Sequence, residues 1–334
     1  MTLLPEWHPQ WGVLLAWPDA ATDWRHMLPQ ADHTYTALGK AILDHEQLLV
    51  ICRDPAHEAH VRERLHAAGA RTQGLQCLHA PFNDTWARDF GPLVVERDGA
   101  TLALDFIFNG WGNKFPSQDD NALTAQLPLR IDRKVLDMVL EGGSVESNGE
   151  GLLLTTEQCL LNPNRNPDMD RLAVERALAD TLGAENVLWL RDGDLEGDDT
   201  DAHIDTLARF CDPQTVAYVQ CTDSNDSHYP ALQAMEQQLQ ALAERHRLSL
   251  VPLPMATAQY DADGQRLPAT YANFLIINGA VLVPTYECAT DEAALAALRG
   301  VFPERRVIGI PCRPLIEQHG SLHCVTMQLP EGVL

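Results

Sequence analysis

The chain has 334 residues, 45% hydrophobic and 21% charged, a balance that excludes a disordered polypeptide and predicts a packed core. Its formal net charge of −23 disfavours nucleic acid and anionic membrane surfaces as partners, because their phosphates would be repelled. No apolar run reaches spanning length, "MTLLPEWHPQWG" lacks a signal-peptide pattern, and the eight scattered cysteines form no CxxC pair, which together predict a cytoplasmic protein with reduced thiols.

In chain order, residues 34–44 predict a helix, and "QLLVIC" after them a buried strand. "HEAH" at 57–60 is one residue short of the metalloprotease helix motif. Arg62, Glu63 and Arg64 follow it, so a solvated helix face is the plainer reading. In "NDTWARDFGP", 83–92, Asp84, Arg88 and Asp89 crowd around Trp86 before a Gly-Pro turn. Carboxylates and an indole face suit a cation; a structural Arg–Asp pair fits the stretch equally. Asp98-Gly99, Asn148-Gly149 and Asn278-Gly279 each separate two apolar runs and predict type I′ hairpin turns. Glu141 stands at a strand end before two glycines, which permit close backbone approach. "LLNPNRNP", 160–167, needs no more than a loop reading. A helix over 170–182 follows, stopping at Gly183, with "VLWL" as the next strand.

From Asp192, the spacing Asp192, Asp194, Glu196, Gly197 imitates a calcium loop, but its twelfth position is His203, not the glutamate that calcium needs. "HID" offers His203 and Asp205 on one side of a strand, an imidazole and a carboxylate facing one space. Helices over 230–246 and 291–299 precede the strands "LSLVPL" and "RVIGI". In "HGSLHCVTMQLP", the alternation from Leu322 to Leu329 predicts a strand carrying Cys324. A cysteine in a strand is more often packing than chemistry. The recurring unit of hairpin, helix and strand predicts a mixed α/β fold with several small sheets.

Six stretches occur in a fixed order: "NDTWARDFGP", "FNGWGNKFP", "EGGSVESNGEGLLLTTEQCLLNPNRNP", "GDDTDAHIDTLARF", "ANFLIINGAVLVPTY" and "HGSLHCVTMQLP". As a set they resemble the agmatine deiminase family, which includes the Porphyromonas-type peptidylarginine deiminases, from the start of the chain to residue 330. The resemblance implies a pentein α/β-propeller, five hairpin–helix–strand modules with pseudo-fivefold symmetry, and hence one domain over 1–334. It implies Cys324 as nucleophile, His203 as base, Asp205 and Asp89 as guanidinium-binding aspartates, and a catalytic part for Glu141. Asn83, Trp86, Arg88 and Trp111 are the further substrate contacts expected.

The implied reaction is hydrolytic deimination with no metal or organic cofactor, of agmatine to N-carbamoylputrescine and ammonia, as in putrescine and polyamine metabolism. Two carboxylates can each take paired N–H bonds from a planar guanidinium, leaving its carbon open to a thiol. His203 would serve the leaving nitrogen and then water. Asp89, Asp205 and Glu141 are expected to raise the Cys324 pKa, since like charge disfavours thiolate. Peptidyl-arginine or another guanidine as substrate, and a non-catalytic cation-binding pentein, are the alternatives. A thiol amide hydrolase would need an oxyanion hole instead of paired aspartates. A homo-oligomer is compatible with the sequence. Two departures from the family pattern stand out: His319 replaces a glycine, which predicts an altered backbone near the nucleophile, and "NKFP" is short.

Overall fold

The computed structural model describes residues 1–334. Five small sheets carry the fold, and each repeats one plan: an antiparallel hairpin, then a parallel strand. In the third module Ala208–Asp212 and Thr215–Gln220 form the hairpin, helix Tyr229–His246 crosses over, and Ser249–Pro254 pairs in parallel. The fourth repeats this with Leu275–Ile277, Ala280–Thr285, helix Asp291–Val301 and Arg306–Pro311. Parallel strands need such a crossover, and the helix covers one sheet face with its apolar stripe. Tyr229–His246 shows this, burying Leu232, Met235 and Leu239.

The fifth module is divided between the two ends of the chain. Met327–Pro330 pairs antiparallel with Gln10–Ala16, which continues in parallel to Gln47–Cys52 and Leu75–His79. The last strand thus closes the ring. This is the pentein α/β-propeller that the sequence motifs imply. The main apolar core draws on residues from Leu3 to Leu334, and a second cluster, with Leu232, Met235 and Leu239, lies around the third module. No helix is long and apolar enough to cross a membrane.

Most predicted elements form, with boundaries moved by their caps. The helix expected from 34 begins at Leu28, with a proline in its first turn. Asp98-Gly99 has both residues at positive φ, as a type I′ turn requires. The other two predicted I′ turns differ. Of Asn278-Gly279 only the glycine has positive φ. Asn148 opens a longer loop, its Oδ1 accepting from the backbone N–H groups of Glu150 (2.8 Å) and Leu152 (2.9 Å).

Candidate active site

Each module contributes the turn just before its first hairpin strand, and these turns converge. Asp89 precedes Leu93–Arg97, Glu141 to Gly143 precede Glu146–Ser147, and His203 to Asp205 precede Ala208–Asp212. Asn273 precedes Leu275–Ile277, and Cys324 precedes Met327–Pro330. Two strand predictions are thereby corrected. Cys324 lies in a turn, its backbone fixed by bonds from Arg88 N to Cys324 O (3.2 Å) and from His323 N to Asn273 Oδ1 (2.8 Å). His203 caps a short 3₁₀ turn over Ile204–Thr206, so the His–Asp pair shares a space without sharing a strand.

The turn before His203 is strained. Asp201 and Ala202 both adopt left-handed φ, +65° and +60°, at a cost of about 1–2 kcal/mol each for non-glycine residues. Asp198 Oδ2 accepts from Ala202 N (2.8 Å), Lys114 Nζ reaches Asp201 Oδ1 (2.9 Å), and Thr156 Oγ1 donates to Ala202 O (2.8 Å). Asp198 and Asp201, in the acid-rich run beyond the calcium-like spacing, are thus turn and ion-pair residues.

A cavity of about 130 Å³ opens onto this centre. Its lining includes Cys324, Asp89, Trp86, Trp111, Phe115 and His319, with three further carboxylates from Asp23, Asp84 and Asp199. No lysine or arginine lines it. Asp205 and His203 lie directly behind the lining, both fully buried, with Asp205 Oδ2 3.8 Å from the Cys324 sulfur. Trp111, itself at φ +55°, donates its indole N–H to Asp89 Oδ2 (2.9 Å). Gly143 N donates to Asp89 Oδ1 (2.9 Å). A Cβ at Gly143 would fall 2.7 Å from His203 Nδ1, 2.8 Å from Asp89 Oδ1 and 3.1 Å from Asp205 Oδ2, so only glycine leaves the space between these groups open. Both ring nitrogens of His203 and Oδ1 of Asp205 are buried without a protein partner. Buried polar groups are rarely left so, and each orphan marks a place for a ligand atom.

The comparisons with known proteins decide the family. The model of the Porphyromonas-type peptidyl-arginine deiminases matches residues 2–330. The chain belongs to that family. An agmatine deiminase of Pseudomonas aeruginosa is 33% identical, the match covering 97% of this chain and 94% of the relative. A substrate-bound C. jejuni agmatine deiminase superposes with a TM-score of 0.93 at 36% identity, over 100% of this chain and 97% of that one. A Porphyromonas gingivalis protein provisionally named an arginine deiminase superposes at 0.92 with 49% identity over 99% of each chain. The deiminase is therefore a C–N hydrolase acting on a guanidino group.

Charge in the deiminase site is set by burial and by near neighbours. Burial pushes the Cys324 thiol well up, and Asp205 and Asp89 push it further. Glu141, expected to add to this, is tied elsewhere: Arg165 Nε lies 2.9 and 3.0 Å from its two oxygens. Burial raises Asp89 to about 6, although His203 and the Trp111 bond pull it down. Burial would lower His203, but Asp89, 3.6 Å from Nδ1, overrides it and holds the imidazole well above its usual value. Cys159, also beside His203, is itself raised by burial and stays a thiol, so Asp89 is the charge that counts. Glu141, Cys159 and His203 place donor atoms within 4.8 Å of one another, a spacing a metal could use. Arg165 already occupies both Glu141 oxygens, so the cation of that cluster is the arginine.

Not every expected contact reaches the cavity. Trp86 and Trp111 line it; Asn83, Arg88 and Glu141 do not. Asn83 Oδ1 accepts from Asp119 N (2.8 Å) in the loop beneath. Arg88 turns away to Glu6 Oε2 (3.2 Å) and Gln328 Oε1 (2.6 Å), because its short helix, Ala87–Phe90, points it across the Cys324 turn. His319 takes a left-handed backbone at φ +67°, a conformation that glycine reaches without strain. Asn273 was absent from the sequence expectations, yet its Nδ2 donates to the Cys324 sulfur at 3.3 Å. A neutral amide in an apolar strand run carries no signal that would single it out.

Proposed function

We propose that the enzyme hydrolyses agmatine to N-carbamoylputrescine and ammonia through a covalent intermediate on Cys324. The observation that carries this reading is the acid-lined cavity ending at a thiol. Four aspartates line it and no lysine or arginine does. A guanidinium with a cationic tail is attracted throughout, whereas the α-carboxylate of free arginine would find only like charge. Trp86, Trp111 and Phe115 offer apolar faces for the aliphatic chain.

In this mechanism Asp89 and Asp205 take the guanidinium N–H groups and fix its plane. As the cation binds, the Cys324 thiol gives its proton to solvent, and the thiolate attacks the central carbon. His203, charged beforehand, protonates one nitrogen, which leaves as ammonia. Neutral His203 then takes a proton from water as it attacks the amidino thioether. The adduct collapses to the ureido product, its hydroxyl proton passes to the departing Cys324 sulfur, and the thiol and charged His203 are restored. The full chain, 1–334, is proposed to act as one domain, which the main core supports by joining residues from both ends of the chain. The scattered thiols support a cytoplasmic setting.

Ammonia release should be measured over agmatine, free arginine, arginyl peptides and small guanidines. Agmatine should exceed the others in kcat/KM by at least about tenfold, since one unpaired or repelled charge is worth roughly 1.4 kcal/mol or more. Cys324→Ser should abolish turnover and the amidino adduct seen by mass spectrometry. Preference for an arginyl peptide would replace the substrate, and full activity in the serine variant would remove the mechanism.

A further inference from the structure

His323, next to the nucleophile, has no part in the mechanism above, yet it joins the site to the deepest charges of the protein. It is 2% exposed. Its Nδ1 lies 2.7 Å from Asp205 Oδ2, and its Nε2 lies 2.6 Å from Glu6 Oε2. Two such bonds need two protons shared among three groups. An imidazolium between two carboxylates supplies them with every donor facing an acceptor.

Glu6 is held in turn. Arg88 Nη2 stands 3.2 Å from Oε2, and Ile276 N donates to Oε1 at 2.6 Å. Arg209 Nη2 is 3.0 Å from Oε2 but misaligned for a hydrogen bond, so it acts through charge. Arg209 Nε reaches Glu146 Oε2 at 2.7 Å. The charged groups facing His323 are thus Asp205 and Glu6 directly, with Arg88, Arg209 and Glu146 behind them. Asn273 and Arg88 bind its backbone.

We propose that His323 is a positioning residue for deimination: a cation clamped between Glu6 and Asp205 that keeps Asp205 ionised and turns its free oxygen toward the substrate. Asp205 Oδ2 is taken by His323, while Oδ1 has no protein partner. Burial alone would push the Asp205 carboxyl up; the bond and charge of His323 override it and hold the group below its usual value. This inference rests on Asp205 as a guanidinium holder.

The test is the pH dependence of kcat and KM for agmatine in the parent and in His323→Gln, Glu6→Gln, Glu6→Asp and Asp205→Asn. Without the imidazolium, burial governs Asp205, which then holds its proton to higher pH. An opposite charge at this range lowers a carboxylate by roughly 1–3 units, so His323→Gln should add an Asp205 step to the acid limb of kcat/KM, which Asp89 sets in the parent, making that limb steeper and moving it up. KM near pH 6 should rise about tenfold, with a smaller fall in kcat. Glu6→Gln, which changes no volume, should give part of that shift; Glu6→Asp keeps the charge and should keep the parent limb. If His323→Gln fails to fold, the contrast between the two Glu6 variants carries the test. A uniform loss at every pH, with the limb unmoved, would overturn the proposal. Parent-like kcat/KM in Asp205→Asn would instead overturn the reading of Asp205 itself.

Discussion

The Cys324 thiol is held protonated by burial and by the two aspartates that would bind its substrate. Raising a thiol pKa leaves little thiolate at neutral pH in the free enzyme. A bound cation would lower that pKa, so in the proposed mechanism chemistry waits for the substrate. Two groups work in the opposite direction: the Ser321 backbone, and Asn273 Nδ2, 3.3 Å from the sulfur. A hydrogen bond to a charged group is worth about 1.5–3 kcal/mol, so Asn273→Ala should raise the alkylation midpoint of Cys324 by about one to two units. Iodoacetamide labelling against pH, followed by peptide mapping, measures this. A midpoint below neutral in the free parent enzyme, or one unmoved in the variant, contradicts the account. The same residues show what the sequence conveyed. The motif singled out Cys324 and the alternation around it suggested a strand. The turn depends on Asn273 and Arg88, which lie 51 and 236 residues away along the chain, and no local pattern encodes partners so remote.

The segment 160–167 reads in sequence as a plain loop, and in the fold it is a strut. Arg165 is buried and spans two modules. Its Nε takes both oxygens of Glu141, Nη1 reaches Asp201 Oδ2 at 2.6 Å, and Nη2 donates to Thr200 O at 2.9 Å. It thereby pins the strained turn that presents His203. Removing one partner of a buried ion pair costs about 3–5 kcal/mol, because the other charge is left alone. Arg165→Met should lose that much stability in denaturant melts. Arg165→Met/Glu141→Gln should recover a large part of it, since no lone charge remains. A single variant that melts like the parent would show the strut to be idle. Local turn chemistry was readable where it was self-contained, as at Asp98-Gly99. It misled at Asn148, whose side chain caps its own loop.

The five-module plan is visible in the sequence because each hairpin, crossover helix and parallel strand writes its own periodicity. The convergence of the five lead-in turns is not, because it is a property of the closed ring. Acidity has the same collective character. Asp89, raised to about 6 by burial, carries its charge only above that value. Guanidinium binding should therefore weaken as pH falls through 6, while a fold lacking Asp89 from the site would bind with no such dependence. Titrating the affinity for agmatine in the Cys324→Ser protein measures this without turnover.

The seam between the two chain ends governs when activity can exist. The bond from His323 to Glu6 joins residues 317 apart, and Ile276 to Glu6 spans 270. Closing a loop of some 300 residues costs about 5 kcal/mol of chain entropy, and contacts so distant form late in folding. The Cys324 turn and the sealing strand should therefore be among the last structures to order, whether the chain refolds from denaturant or leaves the ribosome. A partly folded population should contain sheets and helices yet no working site. In refolding, helical circular dichroism should recover first, and ammonia release should trail it, rising only with protection of the amide hydrogens of Met327–Pro330. Activity appearing before that protection would separate chemistry from closure.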